Sequence, residues 1–129
     1  MERPQCLIDT NVIIDYFENK LPAPGLALMN EILDTKDNIS IITKIELLVF
    51  NAPPEHYQLL KNFTNDVDIV ELTSAIADRT IAVRKLYKIK LPDAIITATA
   101  LVHGFTLITR NTTDFKNIGG IKVLNPHQL

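Results

Sequence analysis

The sequence predicts an α/β domain of three layers, with helices on both faces of a central, mostly parallel sheet of about five strands. Two observations carry this. Short apolar, β-branched segments alternate along the chain with segments of helical period, the pattern of strands joined by helical crossovers. One helical segment, from Asp93 to Gly104, is almost wholly apolar and therefore belongs inside the molecule rather than on its surface. At 129 residues the chain fits a single domain spanning residues 1–129.

Gln5 to Asp9 reads as the first strand, because its apolar run is too brief for a helix and ends in the turn cluster Asp9-Thr10-Asn11. Asn11 to Glu18 follows as a helix. Pro22 and Pro24 interrupt the chain before Gly25 to Asp34, where Leu26, Met29, Ile32 and Leu33 keep helical spacing. Ile39 to Ile42 is the second strand and Thr43 to Phe50 the helix after it, closed by Pro53-Pro54. A helix from Glu55 to Phe63 leads through Thr64-Asn65-Asp66, read as a turn, into a strand at Val67 to Leu72. Ser74 to Tyr87 is helical, with Ile76, Thr80, Val83 and Tyr87 on one face. Leu91-Pro92 then punctuates the chain before the apolar helix, which opens on Asp93 and stops at Gly104. Phe105 to Thr109 and Ile121 to Leu124 complete the strands.

Composition narrows the function classes. Apolar residues are 47% and charged residues 22% of the chain, so a packed core is expected and disorder only at the ends. The single cysteine, Cys6, lies in an apolar run with no second cysteine to pair with, which suits a cytoplasmic protein. The start Met1-Glu2-Arg3-Pro4 does not resemble an export leader, and nowhere do about 18 apolar residues run together, so no membrane span is expected. A net charge of −2 argues against a protein coated in positive potential. Any polyanion must instead meet a local patch. Arg79, Arg84, Lys85, Lys88 and Lys90 form the one strongly one-signed stretch; they suit either phosphate contacts or a solvated helix end whose dipole favours cations.

Asp9, Glu46, Asp93 and Asp114 each stand where an apolar segment meets a turn or a helix. A parallel sheet gathers strand carboxyl ends along one edge, so acids far apart in sequence can share a pocket there. Asp93 is the least direct of the four, because a helix entering a parallel strand ordinarily begins at the opposite connection. The segment from Ser74 to Lys90 must carry the chain across. Each acid also has an ordinary structural role open to it: a turn for Asp9, a helix cap for Asp93, an Asx-turn within Asn111 to Asp114 for Asp114. Thr43-Lys44-Ile45-Glu46 has the form of a capping box. Clustered carboxylates repel, and a divalent cation with oxygen ligands relieves them. Bound Mg²⁺ or Mn²⁺ leaves room for a phosphate, so phosphodiester hydrolysis is the reaction this set suits.

Competing chemistries lack their parts. There is no Gly-x-x-x-x-Gly-Lys or Gly-x-Gly-x-x-Gly segment, and His56, His103 and His127 are isolated. An aspartyl-nucleophile phosphatase would use Asp9, but Asn11 stands where that class carries a second Asp. A non-catalytic RNA-binding or interaction module is the other alternative.

Four segments in order resemble the PIN-domain family of metal-dependent ribonucleases, and most of all the VapC-type toxins of toxin-antitoxin pairs. They are Ile8 to Asp15, Thr43 to Leu47, Leu91 to Ala100 and Thr109 to Phe115, with Ile121 to Pro126 similar to the usual final strand. The resemblance implies an endoribonuclease in which Asp9 and Asp93 are the core Mg²⁺ or Mn²⁺ ligands. Glu46 and Asp114 would complete the site directly or through water. It further implies that Thr10 and Asn111 orient ligands or water, and that Arg110 contacts phosphate or is structural; because the chain is mildly acidic overall, RNA must meet a local patch, and the Arg79 to Lys90 stretch is the candidate. A homodimer and a cognate antitoxin that occupies the acidic cleft are also implied.

Overall fold

A computed structural model describes residues 5–35 and 37–129. Met1 to Pro4, read above for an export leader, lie outside the described residues, as does Lys36. The order of elements is β1 (Cys6–Ile8), α1 (Thr10–Phe17), α2 (Ala23–Leu33), β2 (Asn38–Ser40), α3 (Ile41–Val49), α4 (Pro54–Asp66) and β3 (Asp68–Val70). Then come α5 (Ser74–Leu86), α6 (Leu91–His103), β4 (Thr106–Ile108), α7 (Thr112–Phe115) and β5 (Lys122–Leu124).

The five strands form one sheet in the order β3-β2-β1-β4-β5, and every pairing is parallel. Leu7 stands opposite Leu107 and Leu107 opposite Val123. The chain runs outward from β1 through β2 to β3, then returns to the other side of β1 for β4 and β5. The order therefore switches between β1 and β4, where an open parallel sheet leaves a crevice at its carboxyl edge.

Because side chains alternate across a strand, the two faces of the sheet carry separate cores. Cys6, Ile8, Ile39 and Ile108 pack with Val12, Ile13, Met29, Ile32, Leu47 and Leu60 of α1 to α4. Leu7 and Leu107 point the other way, onto Val83, Ala94, Ile96, Ala100 and Phe115 of α5 to α7. In α6 every residue from Ala94 to Ala100 is buried, as its apolar sequence requires. Gly104 ends that helix at φ 70°, the left-handed conformation that glycine adopts without a Cβ clash.

Several boundaries differ from expectation for local reasons. The strand expected over Ile39 to Ile42 stops at Ser40, whose hydroxyl accepts from Ile42 N (3.1 Å) and caps α3 two residues early. The β-branched pair Ile41-Ile42 concealed that cap. Pro24 and Pro92 do not stand outside helices but in the first turns of α2 and α6, where a missing N–H breaks no helical bond. Asp93 accordingly is the third residue of α6, still within its first turn, instead of opening the helix. α4 runs through Thr64-Asn65-Asp66, where a turn was expected; Thr64 Oγ1 donates to Lys61 O (2.9 Å) within the helix. Thr112 to Phe115, expected as loop, is the short helix α7.

Candidate active site

The site is built at the carboxyl edge where β1 and β4 part. Asp9 follows β1 directly, and its N–H continues the ladder to Ile108 O (2.8 Å). That pairing fixes the backbone before the side chain acts. As N-cap of α1, Asp9 accepts from Thr10 N (2.8 Å) through Oδ1, while Thr109 Oγ1 (2.8 Å) and Asn11 Nδ2 (3.3 Å) donate to Oδ2. Only 5% of Asp9 is exposed. Burial pushes its pKa up to about 6 against the pull of these hydrogen bonds, with Asp93 and Glu46 adding repulsion.

Glu46 comes from α3 and is exposed. Its Oε1 accepts from Thr10 Oγ1 (2.6 Å), and Thr10 Oγ1 lies 3.1 Å from Thr43 Oγ1. The capping-box reading is thereby replaced: Ser40 is the cap, Thr43 is already three residues into α3, and Glu46 faces Thr10 across the site. Asp93 reaches this edge because α5 and the connection 87–90 return the chain there before α6 begins. Burial raises its pKa first, then repulsion from Glu46 and Asp114, while Lys90 opposes them. Asp114, exposed on α7, accepts from Asn111 Nδ2.

The four acids thus face one another electrostatically, Asp9 with Asp93 and Glu46, Asp93 with Asp114. Asp9, Thr10, Asn11, Asp15, Glu46, Asp93, Arg110 and Asn111 line a cavity of about 430 Å³. Asp93 and Asn111 also line an adjoining cavity of about 700 Å³ with Asp114, Arg84, Lys88 and Lys90. Arg79 and Lys85 are exposed and line neither. The basic stretch that reads as one patch in sequence is divided in space. Among the described residues no three carboxylate, imidazole or thiolate side chains are drawn close enough together to hold a metal ion between them. What the edge offers is an open, all-oxygen donor set around a buried carboxylate whose charge is costly without a cation.

Sequence reasoning missed several supporting groups. Thr109 and Thr43 are fully buried and act through hydroxyls on Asp9 and Thr10. Asp15, 3% exposed, takes Arg110 Nη1 on both oxygens (3.1 and 3.0 Å) and lies 2.9 Å from His127 Nε2. Arg110 therefore has a structural partner, although its side chain remains 54% exposed at the cavity. Its backbone is held as well: Arg110 N donates to Asn11 Oδ1 (3.3 Å), and Arg110 O accepts from Asn125 Nδ2 (3.2 Å). A Thr-Arg-Asn run directly after a strand was the available signal, but its partners lie far away in sequence.

Comparison with known proteins agrees with this geometry. The PIN domain family model matches residues 6–121. A toxin-antitoxin complex from Klebsiella pneumoniae contains a chain 37% identical to this one, covering 97% of this chain and all of that one, with a TM-score of 0.79. The tRNA(fMet)-specific endonuclease VapC of Shigella flexneri is 27% identical over 125 residues, 90% of this chain and 93% of the relative. The DNA-bound VapBC structure from Salmonella typhimurium, 20% identical, shares the fold over 96% of this chain and 99% of that one at a TM-score of 0.79. A family match over this span, on an all-parallel sheet with helices on both faces, leads to one assignment: the chain belongs to the PIN domain family and has VapC proteins among its relatives.

Proposed function

We propose that this chain is a divalent-metal-dependent endoribonuclease and the toxin of a toxin-antitoxin pair. The observation that carries the reading is the meeting of Asp9, Glu46, Asp93 and Asp114 at the switch point of a PIN fold. The open donor set fits Mg²⁺ or Mn²⁺, since Mg²⁺ keeps several waters and takes one or two protein carboxylates besides a substrate phosphate. When bound there, the ion supplies Lewis-acid polarisation of a phosphate oxygen and a water of lowered pKa. Asp9 and Asp93 hold it, with Glu46 and Asp114 completing the site directly or through water.

The remaining residues orient these groups. Thr10 holds Glu46 and, through its N–H, one oxygen of Asp9. Asn111 holds Asp114, and Thr109 takes the second oxygen of Asp9. Attack by water in line with the P–O3′ bond leaves a 5′-phosphate and a 3′-hydroxyl. Purified protein is expected to cut RNA with Mg²⁺ or Mn²⁺ and to stop with chelator. Asp9→Asn or Asp93→Asn should lower kcat by at least about 100-fold, the scale of losing a catalytic group; cleavage at the wild-type rate by either variant would remove the reading.

The partner we assign is an antitoxin protein, because the similar Klebsiella chain belongs to a toxin-antitoxin complex; on this chain the antitoxin would insert a basic side chain among the carboxylates. A homodimer would cover Ile45 and Val49, one turn apart and exposed on α3. Light scattering of the protein alone, and with the product of a neighbouring small reading frame, checks both; a monomer indifferent to that product would refute them. No helix among the described residues is long and apolar enough to cross a membrane, and we place the protein in the cytoplasm.

A further inference from the structure

We propose that RNA is held asymmetrically about the scissile bond: the backbone on one side lies in the groove of Arg84, Lys88 and Lys90, and the other side has no comparable phosphate track. The inference rests on the ribonuclease reading above and names how that site would grip its substrate.

The two cavities at the acidic centre share only Asp93 and Asn111 among their lining residues, so they offer a strand whose scissile phosphate sits at the acids two different walls, one on each side. They differ in charge. In the smaller cavity the cations are Lys20 and Arg110, and each is already paired, with Glu18 (3.1 Å) and Asp15 (3.0 Å). Acids outnumber them there, so an incoming phosphate meets net repulsion. In the larger cavity Arg84, Lys88 and Lys90 face only Asp93 and Asp114, and among the described residues none of the three forms an ion pair. These are the cations free to replace counterions on a polyanion.

The wall that carries them is preorganised. Arg84 Nε donates to Ile89 O (3.2 Å), which sets the guanidinium over the 87–90 connection while leaving its terminal nitrogens to pair with phosphate. Tyr87 Oη accepts from Gly119 N (3.1 Å) and ties that connection to the segment after α7. An acidic protein segment is the other occupant a basic groove admits. RNA is favoured because the groove shares Asp93 with the acidic centre, so a strand cleaved there would extend its neighbouring phosphates toward Arg84 and Lys88.

Division of the basic stretch supplies the control. Binding of a single-stranded RNA oligonucleotide is measured in chelator, where the strand stays intact, for Arg84→Gln/Lys88→Gln and for Arg79→Gln/Lys85→Gln. All four positions are exposed, and thermal melting establishes that both double variants fold. The first pair should weaken binding about tenfold and reduce the slope of log K against log salt by about 1.4, roughly 0.7 for each phosphate no longer neutralised. The second should stay within about twofold. Equal losses for both pairs, or none for either, would overturn the proposal. So would a first pair that loses affinity for an antitoxin while keeping RNA, since the groove would then be a protein-docking surface. Failure of cleavage with metal is a separate result and tests only the activity.

Discussion

Among single residues, Asp9 pairs the strongest electrostatic burden with the tightest support. Its carboxylate has three donors and almost no water, and burial outweighs them to raise its pKa to about 6. The folded protein therefore keeps a proton on Asp9 at pH values where the unfolded chain, with a pKa near 3.9, has lost it. Stability contributed by this group is greatest below about pH 4, falls as pH rises to about 6, by roughly 3 kcal/mol at 1.36 kcal/mol per unit, and is level above that. In metal-free protein, Asp9→Asn should gain stability relative to wild type across that window. Urea unfolding at a series of pH values reads this directly; a difference that does not vary with pH would contradict it. Mg²⁺ should oppose the effect, because a cation bound to the folded state favours the ionised carboxylate.

Element by element, the site depends on where helices begin. α3 starts at Ile41 because Ser40 caps it, and that start sets the rotation that turns Glu46 toward Thr10. Ser40→Ala should cost about 1 kcal/mol, the usual value of a lost N-cap. A destabilisation absent by calorimetry would mean that Thr43, and not Ser40, caps the helix. α6 shows the same dependence in another form. With Pro92 in its first turn and Asp93 just behind, the helix presents an acid at its amino end, where the helix dipole favours negative charge, and buries its next turns entirely.

Across the whole molecule, the carboxy-terminal residues close the structure around the site's edge. His127 meets Asp15 of α1, Asn125 supports the backbone of Arg110, and Pro126 packs onto Gly25 in the first turn of α2. A Cβ at position 25 would fall 2.0 Å from Pro126 O, a contact that only movement of backbone can relieve. Gly25→Ala should therefore destabilise the fold by about 2 kcal/mol, as overpacking does, despite alanine's better helix propensity. A rise in melting temperature would show that this close approach is not part of the folded state.

Much of this protein was legible in its residues. Alternating apolar segments determined the strands, the helices and the parallel sheet, because hydrophobic period is a local property. The acids at Asp9 and Asp93 stood out because each abuts an apolar element where an ordinary surface charge would not sit. Helix starts were harder, since Ser40, Pro24 and Pro92 act through single backbone groups that β-branched neighbours or proline's usual role disguise. α7 has four residues and no period to detect. Only the tertiary structure decided which groups meet: Asp15 pairs with Arg110 from 95 residues away and with His127 from 112, separations over which local pattern says nothing. It also divided the basic stretch, bringing Arg84 and Lys88 to the acids and leaving Arg79 and Lys85 outside, because rotation around α5 turns Arg84 away from Arg79 and Lys85, and Lys88 follows in the connection that leads to α6.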